Sequence, residues 1–171
     1  MEINEAKLLL PELNSTQPEI WEDLGCGSGT FTYALAGHLS KGSKLSAIDR
    51  NMQKLLNSYN QVTIDFIKAD FENDDLNLSS LNGILLANAL HFVKDKMTLI
   101  QKLERYFEQG NEKWIIVEYD HSFPNQWEPY PISFNELKSL FRQFGYSKIK
   151  KTGERKSVFG GTMYSAVITK T

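Results

Sequence analysis

Trp21-Glu22-Asp23-Leu24-Gly25-Cys26-Gly27-Ser28-Gly29-Thr30 decides how the rest of this chain is read. Ile20–Leu24 reads as a short strand, and the apolar residues of 31–39 recur at helical spacing. Three glycines at alternate positions stand between them, so a glycine loop ends a strand and opens a helix. A backbone without side chains can pass close beneath a ligand, and the helix N-terminus offers unpaired N–H groups to an anion. The spacing is Gly-x-Gly-x-Gly, because Thr30 stands where the longer dinucleotide fingerprint has its third glycine. No Gly-Lys-Ser/Thr follows, so the loop is not a P-loop. Taken alone, it also fits a plain tight turn.

Outward from this stretch the pattern alternates. Upstream, Ile3, Ala6, Leu9, Leu10 and Leu13 put one apolar face on a helix over residues 2–13. Downstream, strands are expected at 44–48, 62–69, 81–86 and 114–119, with helices at 52–59, 94–109 and 134–144. Five strand–helix alternations imply a parallel sheet with helices on both faces. The pattern breaks at residue 120, where a loop rich in Pro and aromatics (120–131) leads to the last helix. Two strand-like runs, 146–152 and 162–169, follow with Gly160-Gly161 in the turn between them. Adjacent strands joined only by a loop pair antiparallel. The sheet is therefore expected to be mostly parallel, with an antiparallel hairpin at its end.

The 171 residues support a single domain, 1–171, able to bury roughly 70% of its unfolded surface without disulfide or metal. Hydrophobic residues make up 41%, near the low end of globular usage, and charged residues an ordinary 23%. Apolar runs such as 8–10 and 84–87 are far too short to span a bilayer. No basic stretch followed by an apolar one opens the sequence, so a signal peptide is not expected. One cysteine, Cys26, excludes an internal disulfide framework and a cysteine-built zinc site, and no metal site is expected. A soluble protein of a reducing compartment, the cytoplasm, follows as the expectation. Residues 1–135 carry 11 basic and 19 acidic side chains, whereas residues 136–171 carry 8 and 2. The basic tail invites a nucleic-acid reading, yet Lys148 and Lys150 alternate on a strand, a known way to discourage edge pairing. The tail also lacks the interleaved aromatics of a stacking platform, so a nucleic-acid partner is not expected.

Two further acids sharpen the glycine loop. Asp49 ends the second strand, 20 residues after Gly29, where a carboxylate can accept from both hydroxyls of a ribose. Asp70 ends the third strand and is followed by Phe71, a pair that can offer a carboxylate to an exocyclic amine and a backbone N–H to a purine. Asp23–Gly29 followed by Asp49, Asp70 and Asn88 resembles the class I S-adenosylmethionine-dependent methyltransferases, over nearly the whole chain. The resemblance implies a Rossmann-like, doubly wound α/β fold with a seven-stranded sheet of order 3-2-1-4-5-7-6, strand 7 antiparallel, and S-adenosyl-L-methionine as cofactor. It places Gly25, Gly27 and Gly29 under the methionine portion, with Asp23 supporting its amino group and Cys26 as a filler beside the cofactor. Asp49, with Arg50 next to it, would hold the ribose. Asp70 and Phe71 would bracket the adenine, and Asn88 would contact the methionine end through its backbone.

Methyl transfer from a sulfonium is an in-line displacement in which the protein mainly positions two reactants. A general base is needed only when the nucleophile loses a proton as it attacks. Asn88-Ala89-Leu90-His91-Phe92 lies at the carboxyl end of the fourth strand, where open α/β sheets bind ligands. His91 is the candidate base; the alternative is a histidine that only hydrogen-bonds the loop or the cofactor. Glu118 and His121 are the second-choice acid/base groups. The stretch lacks the Asn/Asp-Pro-Pro-Tyr/Phe signature of exocyclic-amine nucleic-acid methylases. Tyr119, Trp127 and Tyr130 are the expected substrate wall, suited to a flat, apolar or cationic acceptor. With about 19 residues before the first strand, either the 120–131 loop or a second subunit of a homodimer must cover the pocket. A small-molecule methyltransferase is the leading reading. A catalytically silent cofactor-binding module and an RNA or protein methyltransferase are the alternatives, and a nicotinamide-dependent oxidoreductase fits the glycine spacing poorly.

Overall fold

The computed structural model describes residues 1–158 and 160–170. In chain order the elements are α1 (Ile3–Leu9), β1 (Ile20–Leu24), α2 (Thr30–Ala36), β2 (Lys44–Asp49), β3 (Ser58–Tyr59), β4 (Val62–Lys68) and β5 (Gly83–Ala87). A 3₁₀ turn (Leu90–Phe92), α3 (Lys96–Glu104), β6 (Lys113–Tyr119), α4 (Phe134–Arg142), β7 (Lys148–Lys156) and β8 (Thr162–Thr169) complete them. The strands form one sheet in the order β3-β4-β2-β1-β5-β6-β8-β7. β4, β2, β1, β5 and β6 run parallel, β8 runs antiparallel to both of its neighbours, and β3 pairs antiparallel with β4. This is an α/β, Rossmann-like arrangement with a mixed sheet.

The expected sheet had seven strands; the described residues form eight. The extra strand, β3, stands where a helix was expected at 52–59. Met52, Leu55, Leu56 and Tyr59 do recur at helical spacing, but eight residues are too few to nucleate a helix without a face to bury. Instead Asn60 and Gln61, both at positive φ (50° and 62°), make the two-residue turn of a hairpin that pairs Tyr59 with Val62. The Tyr33 hydroxyl accepts the Leu56 N–H at 2.9 Å, and the Tyr33 and Tyr59 rings meet at 5.1 Å. Met52 and Leu56 are left exposed. Set β3 aside, and the remaining strands follow one another as β4-β2-β1-β5-β6-β8-β7.

Strand alternation sorts the core into two layers. Trp21, Leu45, Ala47, Leu85, Ile115 and Val117 face α1 and α2, packing with Ala6, Leu9, Ala34 and Leu35. Leu24, Ile48, Ile84, Leu86, Trp114 and Ile116 face α3 and α4, packing with Leu99, Ile100, Leu103, Leu137 and Phe141. Trp114 anchors the second layer through edge contacts with Phe107, Phe141 and Tyr146. The basic tail is partly spent on internal pairs: Lys151 reaches Asp120 and Glu154, and Arg155 reaches Glu5. Lys148 and Lys150 stand exposed on β7, the edge strand. Among the described residues no helix is long and apolar enough to cross a membrane.

Gly83 fixes how tightly β1 and β5 approach on the α1/α2 side. It lies opposite Trp21, and a Cβ built on it would stand 2.4 Å from the indole ring. Gly83→Ala should therefore overpack the centre of the sheet and cost about 1–3 kcal/mol in urea unfolding. An unchanged midpoint would show that Trp21 is free to move.

Candidate active site

The site is built at the carboxyl ends of β1, β2, β4, β5 and β6. After β1 the chain takes left-handed conformations at Gly25, Gly27 and Gly29 (φ 80°, 50° and 89°). The Gly25 and Cys26 N–H groups both donate to the Ile48 carbonyl, at 2.8 and 3.0 Å, tying the loop to the end of β2. A Cβ on Gly25 would come within 2.9 Å of the Ala89 side chain, and one on Gly29 within 2.7 Å of Leu55. Gly27 has open space around it, so only its backbone angle demands glycine there. Burial first, then the Asp23 and Asp49 carboxylates, push the Cys26 thiol up to about 12. It is a packing group and no nucleophile at neutral pH.

Asp23 is buried behind the loop. Its Oδ2 accepts the Thr32 hydroxyl at 2.6 Å, while Oδ1 has no hydrogen-bond partner. Burial raises its carboxyl to about 7; the Thr32 hydroxyl works against that rise and Asp49 adds to it. Asp49 accepts the Gly27 N–H at 2.9 Å with one oxygen and the Asn51 N–H at 2.8 Å with the other. Asp70 accepts the Glu72 and Asn73 N–H groups and the Asn73 side-chain amide. The Asn73 amide, with those N–H groups and Arg50 adding, outweighs the effect of burial and holds Asp70 below the usual carboxylate range. Asn88 sits at φ 53° and donates its N–H to Val117, and its side-chain Oδ1 is buried without a partner.

These residues surround a cavity of about 470 Å³, lined by Gly25, Asp49, Arg50, Asp70, Phe71 and Asn88, with Ala89, Phe92 and Val93 from the following turn. Six of the ten residues assigned to a cofactor from sequence therefore meet at one opening. Asp23, Cys26, Gly27 and Gly29 do not line it; they shape the loop behind its wall. A larger cavity, about 690 Å³, lies at the amino ends of the strands, where Lys113 pairs with Glu19 and Lys170 with Glu112. It has no glycine loop, so the smaller cavity is the better ligand site.

Beside the smaller cavity, β5 and β6 bring two buried groups together. His91 Nδ1 lies 2.7 Å from Glu118 Oε2, and Glu118 Oε1 accepts the His91 backbone N–H at 3.0 Å. Both side chains are almost fully buried. A carboxylate on Nδ1 keeps the proton on that nitrogen, which leaves Nε2 as the acceptor. Phe92 and Tyr119 flank the imidazole at 4.3 and 6.3 Å. His121 is placed differently. Its Nε2 pairs with Glu128, and its Nδ1 accepts the Phe123 N–H, so both ring nitrogens hold the 120–131 loop together. Tyr119 is half-buried between the two histidines. Trp127 and Phe123 project into solvent, and Tyr130 is partly exposed while its peptide N–H is held by the His91 carbonyl.

Sequence reasoning missed Thr32, Lys96 and Lys102. Thr32 could have been found, since it lies on the first turn of the helix that the glycine loop opens. Lys96 Nζ bridges the Val93 and Tyr130 carbonyls, and Lys102 Nζ is held by the Phe71, Glu72 and Asp74 carbonyls. Main-chain partners of that kind leave no residue pattern.

The chain matches the family described as "Methyltransferase domain" over residues 23–110, just over half of its length, and it belongs to that family of enzymes. No curated protein matches it by sequence. Among solved structures it is similar to 1,6-didemethyltoxoflavin-N1-methyltransferase of Burkholderia thailandensis, bound to 1,6-didemethyltoxoflavin and S-adenosylhomocysteine. That match has TM-score 0.74 and 16% identity, over 99% of this chain and 78% of the other. The plantazolicin methyltransferase in complex with S-adenosylhomocysteine matches with TM-score 0.62 and 16% identity, over 99% and 81%. Magnesium protoporphyrin IX methyltransferase from Synechocystis, also bound to S-adenosylhomocysteine, matches with TM-score 0.62 and 12% identity, over 92% and 76%. At these identities the likeness is one of fold.

Two buried acids with raised carboxyls sit in β1. Glu22 is wholly buried with neither carboxylate oxygen bonded, and burial raises it to about 8, as burial raises Asp23 to about 7. Both raised values lie above those of the unfolded chain, so their contribution is complete below about pH 4. It is lost as the pH rises through 7 to 8. Stability should fall from pH 6 to pH 9, and Glu22→Gln should flatten that slope by on the order of 3 kcal/mol. An identical slope in the variant would contradict the assignment.

Proposed function

We propose that this chain transfers a methyl group from S-adenosyl-L-methionine to a small-molecule acceptor, at an atom whose proton is taken by His91. The carrying observation is the buried His91–Glu118 pair beside the glycine-loop cavity. The residues present fit the cofactor. Gly25 leaves a floor that any side chain would fill, Asp49 stands at the end of β2, and Asp70 with Phe71 lines the far wall. S-adenosyl-L-methionine bound there supplies an activated methyl group on a positively charged sulfur. Gly25, Gly27 and Gly29 would support its methionine end, with Asn88 at the edge. Asp49 and Arg50 would hold the ribose, and Asp70 and Phe71 the base. Asp23, through Thr32, would set the loop and face the amino group, and Cys26 would fill the space behind.

Glu118 fixes the imidazole so that Nε2 can accept a proton from a hydroxyl, an N–H or an acidic C–H of the acceptor. An acceptor with a free lone pair needs no such base, so the pair favours one that must be deprotonated. It also favours turnover over a silent cofactor-binding module, because burying a carboxylate and an imidazole with no task is costly. Tyr119 lies within reach of His91, while Trp127 and Tyr130 offer exposed aromatic faces to a flat acceptor. One similar structure holds 1,6-didemethyltoxoflavin, a flat ring system of the kind that such aromatic faces suit. His121 would act as a pin of that wall. Lys151 and Arg155, already paired, leave a nucleic-acid acceptor as the weaker reading.

Calorimetry with S-adenosylhomocysteine should show binding that Asp49→Ala weakens at least roughly tenfold, as loss of charge-assisted hydrogen bonds requires. Incubating metabolite extract with methyl-labelled cofactor identifies the acceptor. With that acceptor, His91→Ala should lower kcat by about 10²- to 10⁴-fold with the S-adenosylhomocysteine affinity unchanged. Full turnover in the variant would remove His91 from the chemistry.

A further inference from the structure

Residues 69–80, which connect β4 to β5, contain no helix or strand, yet they carry Asp70 and Phe71 on the wall of the cavity. Something outside the segment must hold it. One group does most of this. Lys102, on α3, donates its ammonium to the Phe71 carbonyl at 3.0 Å, to the Glu72 carbonyl at 3.3 Å and to the Asp74 carbonyl. Three N–H donors meet three carbonyl oxygens; among the described residues no carboxylate lies within ion-pair distance of the ammonium, whose charge helps lower the nearby Asp75. Tyr106, one turn later, adds a second grip, accepting the Leu76 N–H and donating to Asp75.

We propose that Lys102 is a positioning residue for the cofactor's base: by gathering the carbonyls of Phe71, Glu72 and Asp74 around one ammonium, it fixes the turn that presents Asp70 and Phe71. The inference rests on the cofactor reading above and deepens it. Asp70 closes the same turn from inside, through the Glu72 and Asn73 N–H groups, and its own N–H donates to Asp74. Without the ammonium, three carbonyl dipoles would point at one another, and the turn would open to find water. The consequence falls on ligand affinity, because Asp70 and Phe71 would then have to be ordered at binding.

Lys96 is the internal control. It lies on the same helix and also donates to carbonyls, those of Val93 and Tyr130, but it ties the turn after β5 to the 120–131 loop and does not touch the segment that carries Asp70 and Phe71. Lys102→Met and Lys96→Met should lower the thermal midpoint of the free protein to similar extents. By calorimetry, Lys102→Met should raise the Kd for S-adenosylhomocysteine roughly tenfold, whereas Lys96→Met should leave it within about twofold. Lys102→Arg, which keeps the donors, should restore most of the affinity. If Lys102→Met does not fold, Lys102→Gln, with one donor group, should give an intermediate loss. Equal weakening by Lys96→Met and Lys102→Met, or undiminished binding in Lys102→Met or Lys102→Gln, would overturn this assignment alone. Absence of binding by the wild-type protein would overturn the cofactor reading with it.

Discussion

The two hydrogen bonds from Gly25 and Cys26 to the Ile48 carbonyl hold the site to the fold. They exist because three glycines accept left-handed backbone angles in sequence, so that the chain leaving β1 turns across the end of β2 instead of away from it. Asp49 then reaches the Gly27 N–H, and α2 starts with Thr32 under Asp23. The cavity floor, the acid at its edge and the helix behind it all follow from that one crossing. Ala89 approaches Gly25 from the turn after β5 because nothing larger than hydrogen stands in its way.

The molecule spends stability at this end of the sheet. Glu22, Asp23, His91 and Glu118 are all buried, and among the described residues neither Glu22 carboxyl oxygen has a hydrogen-bond partner. Hydrophobic layers on both faces supply what those groups cost, with Trp21 and Trp114 as the largest buried side chains on the two sides. His91 and Glu118 show the return on that cost. One carboxylate accepts from both the backbone N–H and the ring of the histidine, and so fixes the two together.

Local chemistry made much of this legible in advance. The glycine loop, Asp49 and Asp70 lie at strand ends, and strand ends can be read from alternating apolar residues. What depends on distant packing was not legible. The helix expected at 52–59 had the right spacing, but Asn60-Gln61 formed a hairpin and Tyr33 captured the segment in extended form. The first helix stops at Leu9 because Pro11 forces Leu10 into an extended conformation. His91 was read as a base and Glu118 only as a second choice, since 27 residues separate them and only the parallel pairing of β5 with β6 joins them. His121 ranks behind His91 in sequence, and its two bonds within the loop are what give it a different place.

A crystal structure of the protein with S-adenosylhomocysteine tests the central claim most directly. The account predicts the ligand over Gly25–Gly29, its ribose at Asp49, its base against Asp70 and Phe71, and its sulfur facing the turn that carries His91. Density in the cavity at the amino ends of the strands, or a sulfur turned away from His91, would contradict it.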